Sequence, residues 1–296
     1  LTAKDKICFT KGAPCHPDHC DYARGYYDRI GAVLTAVVGR NASFSREAVE
    51  QLARDESLCP FELSLDLSTI ADVIICDYNY VFDPAVYLRR HFDDAPGQHA
   101  LLIDEAHNLV DRGREMFSAT LVKDEFLVLR RALGSGFPLL TRTLSRVNAG
   151  FLALLRSDQD RLKSSGHLRI PALPARLLQS LRTFCDHAEA VLAEQPQAAF
   201  RELLLTQYFA CLRFQRTAEW FDEHYACLLQ QDDAGVTLRL WNLNPAPGLT
   251  KAMQRGRANV CFSATLSPQS YFQPLLGIAP ETPWYGIRSP FDAGNL

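Results

Sequence analysis

The chain has 296 residues, 47% hydrophobic and 22% charged, with 31 Lys and Arg against 34 Asp and Glu. That apolar content suits a large core and excludes intrinsic disorder, while a net charge of -3 excludes an overall basic coat for nucleic acid but not a local basic patch. No apolar run approaches the roughly 18 residues of a membrane span, and the length fits about two domains.

In chain order, residues 1–69 form a cysteine-bearing module of mainly helical character. The chain opens on Leu1 and a charged segment (Lys4, Asp5, Lys6), without a signal-peptide pattern. Helices are predicted from Asp21 to Val38, from Ser45 to Glu56 with Ser45 as N-cap and Glu47 in the first turn, and from Pro60 through Leu67. Residues 70–110 change pattern. Ala71–Asp77 and Ala100–Asp104 are short apolar runs with a helical stretch, Ala85–Phe92, between them. Strand, helix and strand with nearly all-apolar strands predict a buried parallel sheet. Residues 111–234 read as almost all helix, with Leu and Phe at helical spacing and punctuation at Gly134-Ser135-Gly136, Gly166 and Pro171 to Pro174. Residues 235–296 return to sheet character at Val236–Trp241 and Asn259–Ser263. The expectation is an α/β domain interrupted by an all-helical insertion. The final stretch, 289–296, stops without a terminator, and the chain reads as a piece of a longer protein.

Chemistry concentrates in three places. Leu101-Leu102-Ile103-Asp104-Glu105-Ala106-His107 is a strand running into two carboxylates and a His. In nucleoside triphosphatases the first carboxylate of such a turn holds Mg²⁺, the second orients or deprotonates the attacking water, and the His senses the nucleotide. A plain polar strand end is the alternative. Cys261–Pro268 carries Ser263, Ala264 and Thr265, and it also reads as a hydroxyl-rich turn capping the next helix. Four of the nine cysteines, Cys8, Cys15, Cys20 and Cys59, are spaced C-x6-C-x4-C with a remote fourth. Four thiolates take a 4Fe–4S cluster or tetrahedral zinc. The lack of a C-x2-C pair disfavours a zinc ribbon. Cys76, Cys185, Cys211, Cys227 and Cys261 read as small core residues, and His16, His19, His99 and His187 show no metal-binding pairing. Reduced thiols without a secretory signal point to the cytoplasm. Asp72 reads as a turn residue, and Asp77 as either a turn or a strand-end catalytic residue.

Lys4, Lys6, Lys11, Arg24, Arg29, Arg40 and Arg46 form a local basic segment with Tyr22, Tyr26 and Tyr27. Its cations suit phosphates and its rings suit bases, with one of the adjacent Tyr26 and Tyr27 in the core. Lys4, Lys11, Arg24, Tyr26 and Arg29 are the candidate contacts. Arg112, Arg114, Arg130 and Arg131 are weaker ones, since exposed helical Arg is usually solvated surface.

Asp104–His107 is similar to the DEAH box of superfamily 2 helicases, and Ser263–Thr265 resembles their Ser-Ala-Thr motif, which couples hydrolysis to strand movement. With Leu1–Cys8, Cys20–Tyr27, Cys59–Glu62 and Ile75–Tyr80, the chain resembles the XPD/DinG-type iron–sulfur DNA helicases over its whole length, nearer the bacterial DinG branch. The resemblance implies a partial RecA-like parallel-sheet domain with two insertions. Its parts are an iron–sulfur domain (1–69), the first RecA-like part with the DEAH box (70–110), an all-helical arch (111–234) and the second RecA-like part (235–296). It implies catalytic roles for Asp104, Glu105 and His107, nucleotide coupling through Ser263 and Thr265, and a 4Fe–4S cluster on Cys8, Cys15, Cys20 and Cys59. ATP and Mg²⁺ would drive 5′→3′ movement on single-stranded DNA, with forked DNA as substrate, in repair or replication. No membrane is involved, and no protein partner is indicated. The chain departs from the family in lacking any G-x-x-x-x-G-K-S/T phosphate loop, and the second RecA-like domain is expected beyond Leu296. The isolated chain is therefore expected to be inactive as an ATPase. The competing reading is a metal-bearing module that binds single-stranded DNA or a protein partner without a motor.

Overall fold

The computed structural model describes residues 1–12, 14–39, 43–93, 97–195, 198–233 and 235–288. Arg40 and the stretch 289–296 lie outside the described residues. The chain forms two compact units, 1–81 and 82–296.

The first unit is helical. Its elements are α1 (Lys4–Ile7), α2 (Tyr26–Val37), α3 (Arg46–Asp55) and α4 (Pro60–Leu67), and the short α5 (Asn79–Phe82) runs across its end. Local chemistry sets these boundaries. Ser45 caps α3 by accepting a hydrogen bond from the Ala48 N–H at 3.3 Å. Pro60 opens α4 at its first turn, where a missing N–H costs nothing. Gly25, in the left-handed region at φ 60°, leads into α2. Ile7, Tyr26, Val33, Val49, Leu58 and Leu63 bury one small core.

The expected strand at 71–77 does not form. The segment has no strand pairing, and Val73 and Ile75 are 78% and 83% exposed. β-branched residues favour extended backbone, but only pairing to a neighbour makes a strand. Asp77 accepts from the Asn79 N–H at 3.1 Å, a turn role.

The second unit begins with α6 (Arg89–Phe92), shorter than the expected helix over 85–92. There follow β1 (Ala100–Ile103), α7 (Leu109–Met116), β2 (Ala119–Val122), α8 (Lys123–Leu133), α9 (Pro138–Ser157) and α10 (Gln159–Ser165). Then come β3 (His167–Ile170), α11 (Ala175–Glu194), α12 (Arg201–Glu219), β4 (Tyr225–Asp232), β5 (Gly235–Asn242), α13 (Ala246–Met253), β6 (Ala258–Cys261) and α14 (Gln269–Leu275). β1 and β6 pair in parallel, with Ile103 opposite Cys261. This sheet is less buried than expected. Leu101 and Ile103 face the core, but Leu102 and Val260 are 72% and 53% exposed, because two strands alone cover one face at most.

The stretch expected to be all helix is mixed. β2, β5, β4 and β3 form one antiparallel sheet in that order. Its Leu121, Leu168, Leu229 and Leu238 share a large core with Phe126, Phe151 and Phe184 of the helices. Residues 235–242 thus belong with the helical block's own sheet rather than with β1 and β6. The strands were hidden because β2 and β3 are only four residues long and β4 is buried at most of its first positions, which removes the alternation of a half-buried strand. β5, which alternates, was legible.

One side chain ties these layers together. Arg213 of α12 donates to the carbonyls of Glu115, Met116 and Ser118 at 3.0–3.2 Å, satisfying the free C-terminal end of α7. Among the described residues no helix is long and apolar enough to cross a membrane.

Candidate functional site

In the second unit, β1 delivers Asp104 and Glu105 at its carboxyl end, and β6 delivers Ser263 beside them. The backbone clasps the two strand ends: Phe262 N–H donates to Ile103 O at 3.0 Å, and Ala106 N–H donates to Phe262 O at 3.1 Å. Glu105 sits in the left-handed region at φ 48°, which is uncommon for a non-glycine residue and turns the chain sharply into the next helical turn. That turn brings His107 back over the strand end. Its Nδ1 lies 2.8 Å from Ser263 Oγ and 3.2 Å from Glu105 Oε2.

The bonds around Ser263 assign the protons. Ser263 Oγ donates to Glu105 Oε2 at 3.1 Å and accepts from the Thr265 N–H at 3.1 Å. With its only hydrogen given to Glu105, Ser263 must accept from His107, so Nδ1 carries a hydrogen. Thr265 Oγ1 lies 3.4 Å from the same hydroxyl. Asp104 accepts from the Glu105 N–H at 2.8 Å, and both carboxylates are exposed. The five residues picked out at 104–107 and 263–265 therefore meet in one place, with Glu105 tied to Ser263 and His107 in reach of both.

In the first unit, Cys8, Cys15, Cys20 and Cys59 line one cavity of about 400 Å³. All four thiols are free, with Cys20 buried, Cys8 and Cys59 half-buried and Cys15 exposed. Cys59 precedes α4. Burial pushes its thiol up, against the Glu62 and Phe61 N–H groups that favour the thiolate. Thr10 Oγ1 lies 3.2 Å from Cys20 Sγ and 3.9 Å from Cys8 Sγ. Among the described residues no three His, Cys, Asp or Glu side chains are close enough together to hold a metal ion. The sulfurs share a cavity without having converged on one point.

The basic residues divide. Lys4 lines the thiol cavity. A hydrogen bond with Cys15 raises its pKa against the effect of burial, and Cys8 and Cys59 add to the rise. Arg24 donates to Pro17 O and pairs with Asp21 at 3.2 Å. One of the expected DNA contacts is corrected. Tyr26 is 4% exposed, with its hydroxyl donating to Asp66 at 2.7 Å, so its ring is core. Burial, with the Asp66 bond, raises its pKa. Arg29 spends Nη2 on the carbonyls of Arg24 and Ser57, both at 2.8 Å. Lys11 is exposed, and so is Tyr27 at 85%. In the second unit Arg112 and Arg114 pair with Glu115 and Asp111. Thr10, two residues after Cys8, was missed in the sequence; an isolated hydroxyl gives no signal until its distance to sulfur is known.

A family model described as DEAD_2 matches residues 1–126, a stretch that holds all four cavity cysteines and Asp104–His107 but not Ser263. The chain is 26% identical over 169 residues to the regulator of telomere elongation helicase 1 homolog of Caenorhabditis elegans, covering 53% of this chain and 15% of that protein. It is 27% identical over 124 residues to the general transcription and DNA repair factor IIH helicase subunit XPD/RAD3 of Saccharomyces cerevisiae, covering 42% and 15%. It is 29% identical over 87 residues to the Fanconi anemia group J protein homolog of Gallus gallus, covering 29% and 7%. The chain thus matches only a small part of the length of these relatives.

Proposed function

We propose that the chain is part of an ATP-dependent DNA helicase of the XPD-like, iron–sulfur superfamily 2 type. The observation that carries this reading is the hydrogen-bonded set Glu105, His107 and Ser263 at the ends of two parallel strands. A carboxylate that orients water is there linked to a hydroxyl just past the neighbouring strand, so a change at the nucleotide reaches the end of β6 through the Glu105–Ser263 hydrogen bond. A module that only binds DNA has no use for this link. The helicase names of the relatives and the matching family model support the same reading.

In this reading Asp104 holds Mg²⁺ and Glu105 positions the water that attacks the γ-phosphate of ATP. His107 keeps Glu105 and Ser263 in register, and Thr265 holds Ser263 in place through its N–H. The phosphate loop and an arginine finger come from elsewhere in the longer protein. The placement nearer the DinG branch, the 5′→3′ polarity and the preference for forked DNA rest on the sequence motifs alone. The RecA-like character of the β1–β6 region and the insertion of the cysteine and arch parts rest there too.

The thiol cavity fits a four-cysteine group: four sulfur donors line one space, none is spent in a disulfide, and Lys4 supplies positive charge to balance thiolates. Cys8, Cys15, Cys20 and Cys59 would hold a 4Fe–4S cluster, which ties together chain segments far apart in sequence. Single-stranded DNA would meet exposed Lys11, Arg24 and Tyr27 rather than Tyr26.

The test is single-stranded-DNA-stimulated ATP hydrolysis by the longer protein, compared with Glu105→Gln and Ser263→Ala. Gln at 105 should keep ATP binding and lose turnover, and Ala at 263 should keep basal turnover but lose unwinding. Wild-type turnover in the Gln variant refutes the reading.

A further inference from the structure

Away from both sites, the antiparallel sheet of the second unit has a covered face and an open one. Val236, Leu238 and Leu240 of β5, with Leu168 and Ile170 of β3, turn into the core that the sheet shares with the long helices. Alternation sends Thr237, Arg239 and Trp241 of β5, and His167 and Arg169 of β3, to the other side. The strand register lines these side chains up. Thr120, Arg239, Leu228 and Arg169 form one row across β2, β5, β4 and β3. Trp241 stands in the next row, opposite the small Ala226. Thr120, His167, Arg169 and Gln230 are exposed, and Trp241 is 37% exposed.

Charge and ring geometry narrow what such a face can take. The Arg239 guanidinium lies 5.3 Å from the centre of the Trp241 ring. Arg239 Nε is closed off from solvent and has no hydrogen-bond partner among the described residues. Arg169 stands two strands away, about 10 Å by the usual strand spacing. Asp232 and Asp124 gather at the far end of the ladder, beside Gly235. Between that end and Trp241 the rows hold no acid. An acidic peptide would meet the two cations and leave the indole idle. A single strand of nucleic acid uses both, since guanidinium and indole planes stack on any base and the cations meet its phosphates.

We propose that the open face of the β2–β5–β4–β3 sheet binds single-stranded DNA, with Trp241 stacking a base and Arg239 and Arg169 meeting phosphates on either side of Leu228. The choice of DNA rests on the helicase reading above; the face itself is given by strand alternation and register. A strand laid across β5, β4 and β3 meets Trp241 and Arg239 first and Arg169 last. Sequence preference should be weak, because stacking does not depend on base identity and the row offers phosphates cations rather than base edges a pattern of donors. The face is separate from Lys11, Arg24 and Tyr27 of the first unit and from the carboxylate turn.

The experiment titrates the 296-residue chain into fluorescein-labelled oligodeoxythymidine, follows anisotropy, and maps ultraviolet cross-links by tryptic peptide. Trp241→Ala should weaken binding about five-fold or more, the lower end for one stacked base, and Trp241→Phe should restore most of it. Arg169→Gln should lower the slope of log affinity against log salt by about 0.7, one phosphate's share on a single strand. Cross-links are expected on the tryptic peptide 240–251, which carries Trp241. Equal binding by Trp241→Ala, or cross-links confined to other peptides, overturns the proposal. So does polyglutamate bound as tightly as the oligonucleotide, or a Trp241-dependent dimer in place of DNA binding, since either gives the face to a protein. Should Trp241→Ala fail to fold, the wild-type cross-link map still decides. No nucleotide is present, so failure here leaves the Glu105 and Ser263 test standing, and failure there leaves this one standing.

Discussion

The two candidate sites are assembled by opposite means. The carboxylate turn hangs from paired strands, so Glu105, His107 and Ser263 meet through backbone that is already hydrogen-bonded. The thiol cavity collects Cys8, Cys15 and Cys20 from irregular chain and Cys59 from the start of a helix, over a small core. Strand pairing holds its residues in place. A small module with scattered ligands gains order from what it binds. The first site is therefore preorganised, and the second shares a cavity without converged sulfurs.

The comparison breaks most visibly through the thiols. Cys20→Ser or Cys59→Ser should abolish iron binding and loosen residues 1–81, while Cys227→Ser leaves iron content unchanged. Iron analysis and visible absorbance of anaerobically prepared protein check this, and full iron retention in Cys20→Ser would remove Cys20 from the ligand set. On the preorganised side, Glu105→Gln should cost about 10²- to 10⁴-fold in ATP turnover by the longer protein, with nucleotide binding intact. The isolated chain, which has no phosphate loop, should show no ATPase activity.

Packing separates the two units next. Phe184 is fully buried in the large core, and Phe184→Ala should destabilise the second unit by about 3–5 kcal/mol. Urea unfolding followed by circular dichroism reads that loss, and iron content reads whether the first unit notices. Binding of single-stranded DNA to the chain should be weak and should fall with rising salt. Tyr27→Ala should weaken it by about 1–3 kcal/mol, the worth of one stacked base, and Lys11→Ala should flatten its salt dependence. Equal binding by the Tyr27 variant in a fluorescence titration would show that phosphate contact alone holds the strand.

The smallest effect concerns pH. Burial raises the Cys227 thiol from its usual 9.0 to about 12. Above pH 9 the unfolded chain gives up this proton while the folded chain keeps it. Stability contributed by the neutral thiol is full below pH 9 and falls as pH rises toward 12, by up to about 1.4 kcal/mol per pH unit. Cys227→Ala should flatten that decline in urea midpoints measured from pH 8 to 10.

Much of the local structure was written in the chain. Ser45 and Glu47 announced α3, Pro60 announced α4, and Gly134 and Gly166 closed α8 and α10, because caps and breakers act within a few residues. The carboxylate turn was legible for the same reason: an apolar strand followed by two acids and a His is contiguous. The strands β2 and β3 were not, since pairing with partners far along the chain leaves no local mark in a four-residue run, and the burial of β4 removed its alternation.

Sequence alone thus singled out the candidate residues: Asp104, Glu105, His107, Ser263 and Thr265 on one side, and four early cysteines on the other. Tertiary structure decided which of them meet and on what terms. Only the β1–β6 register puts Ser263 between Glu105 and His107, residues more than 150 positions away. Only packing turns Tyr26 inward and leaves Tyr27 in solvent, although the two are neighbours of one type. Side-chain type is a property of one residue, whereas burial and proton placement depend on partners that the fold alone brings near.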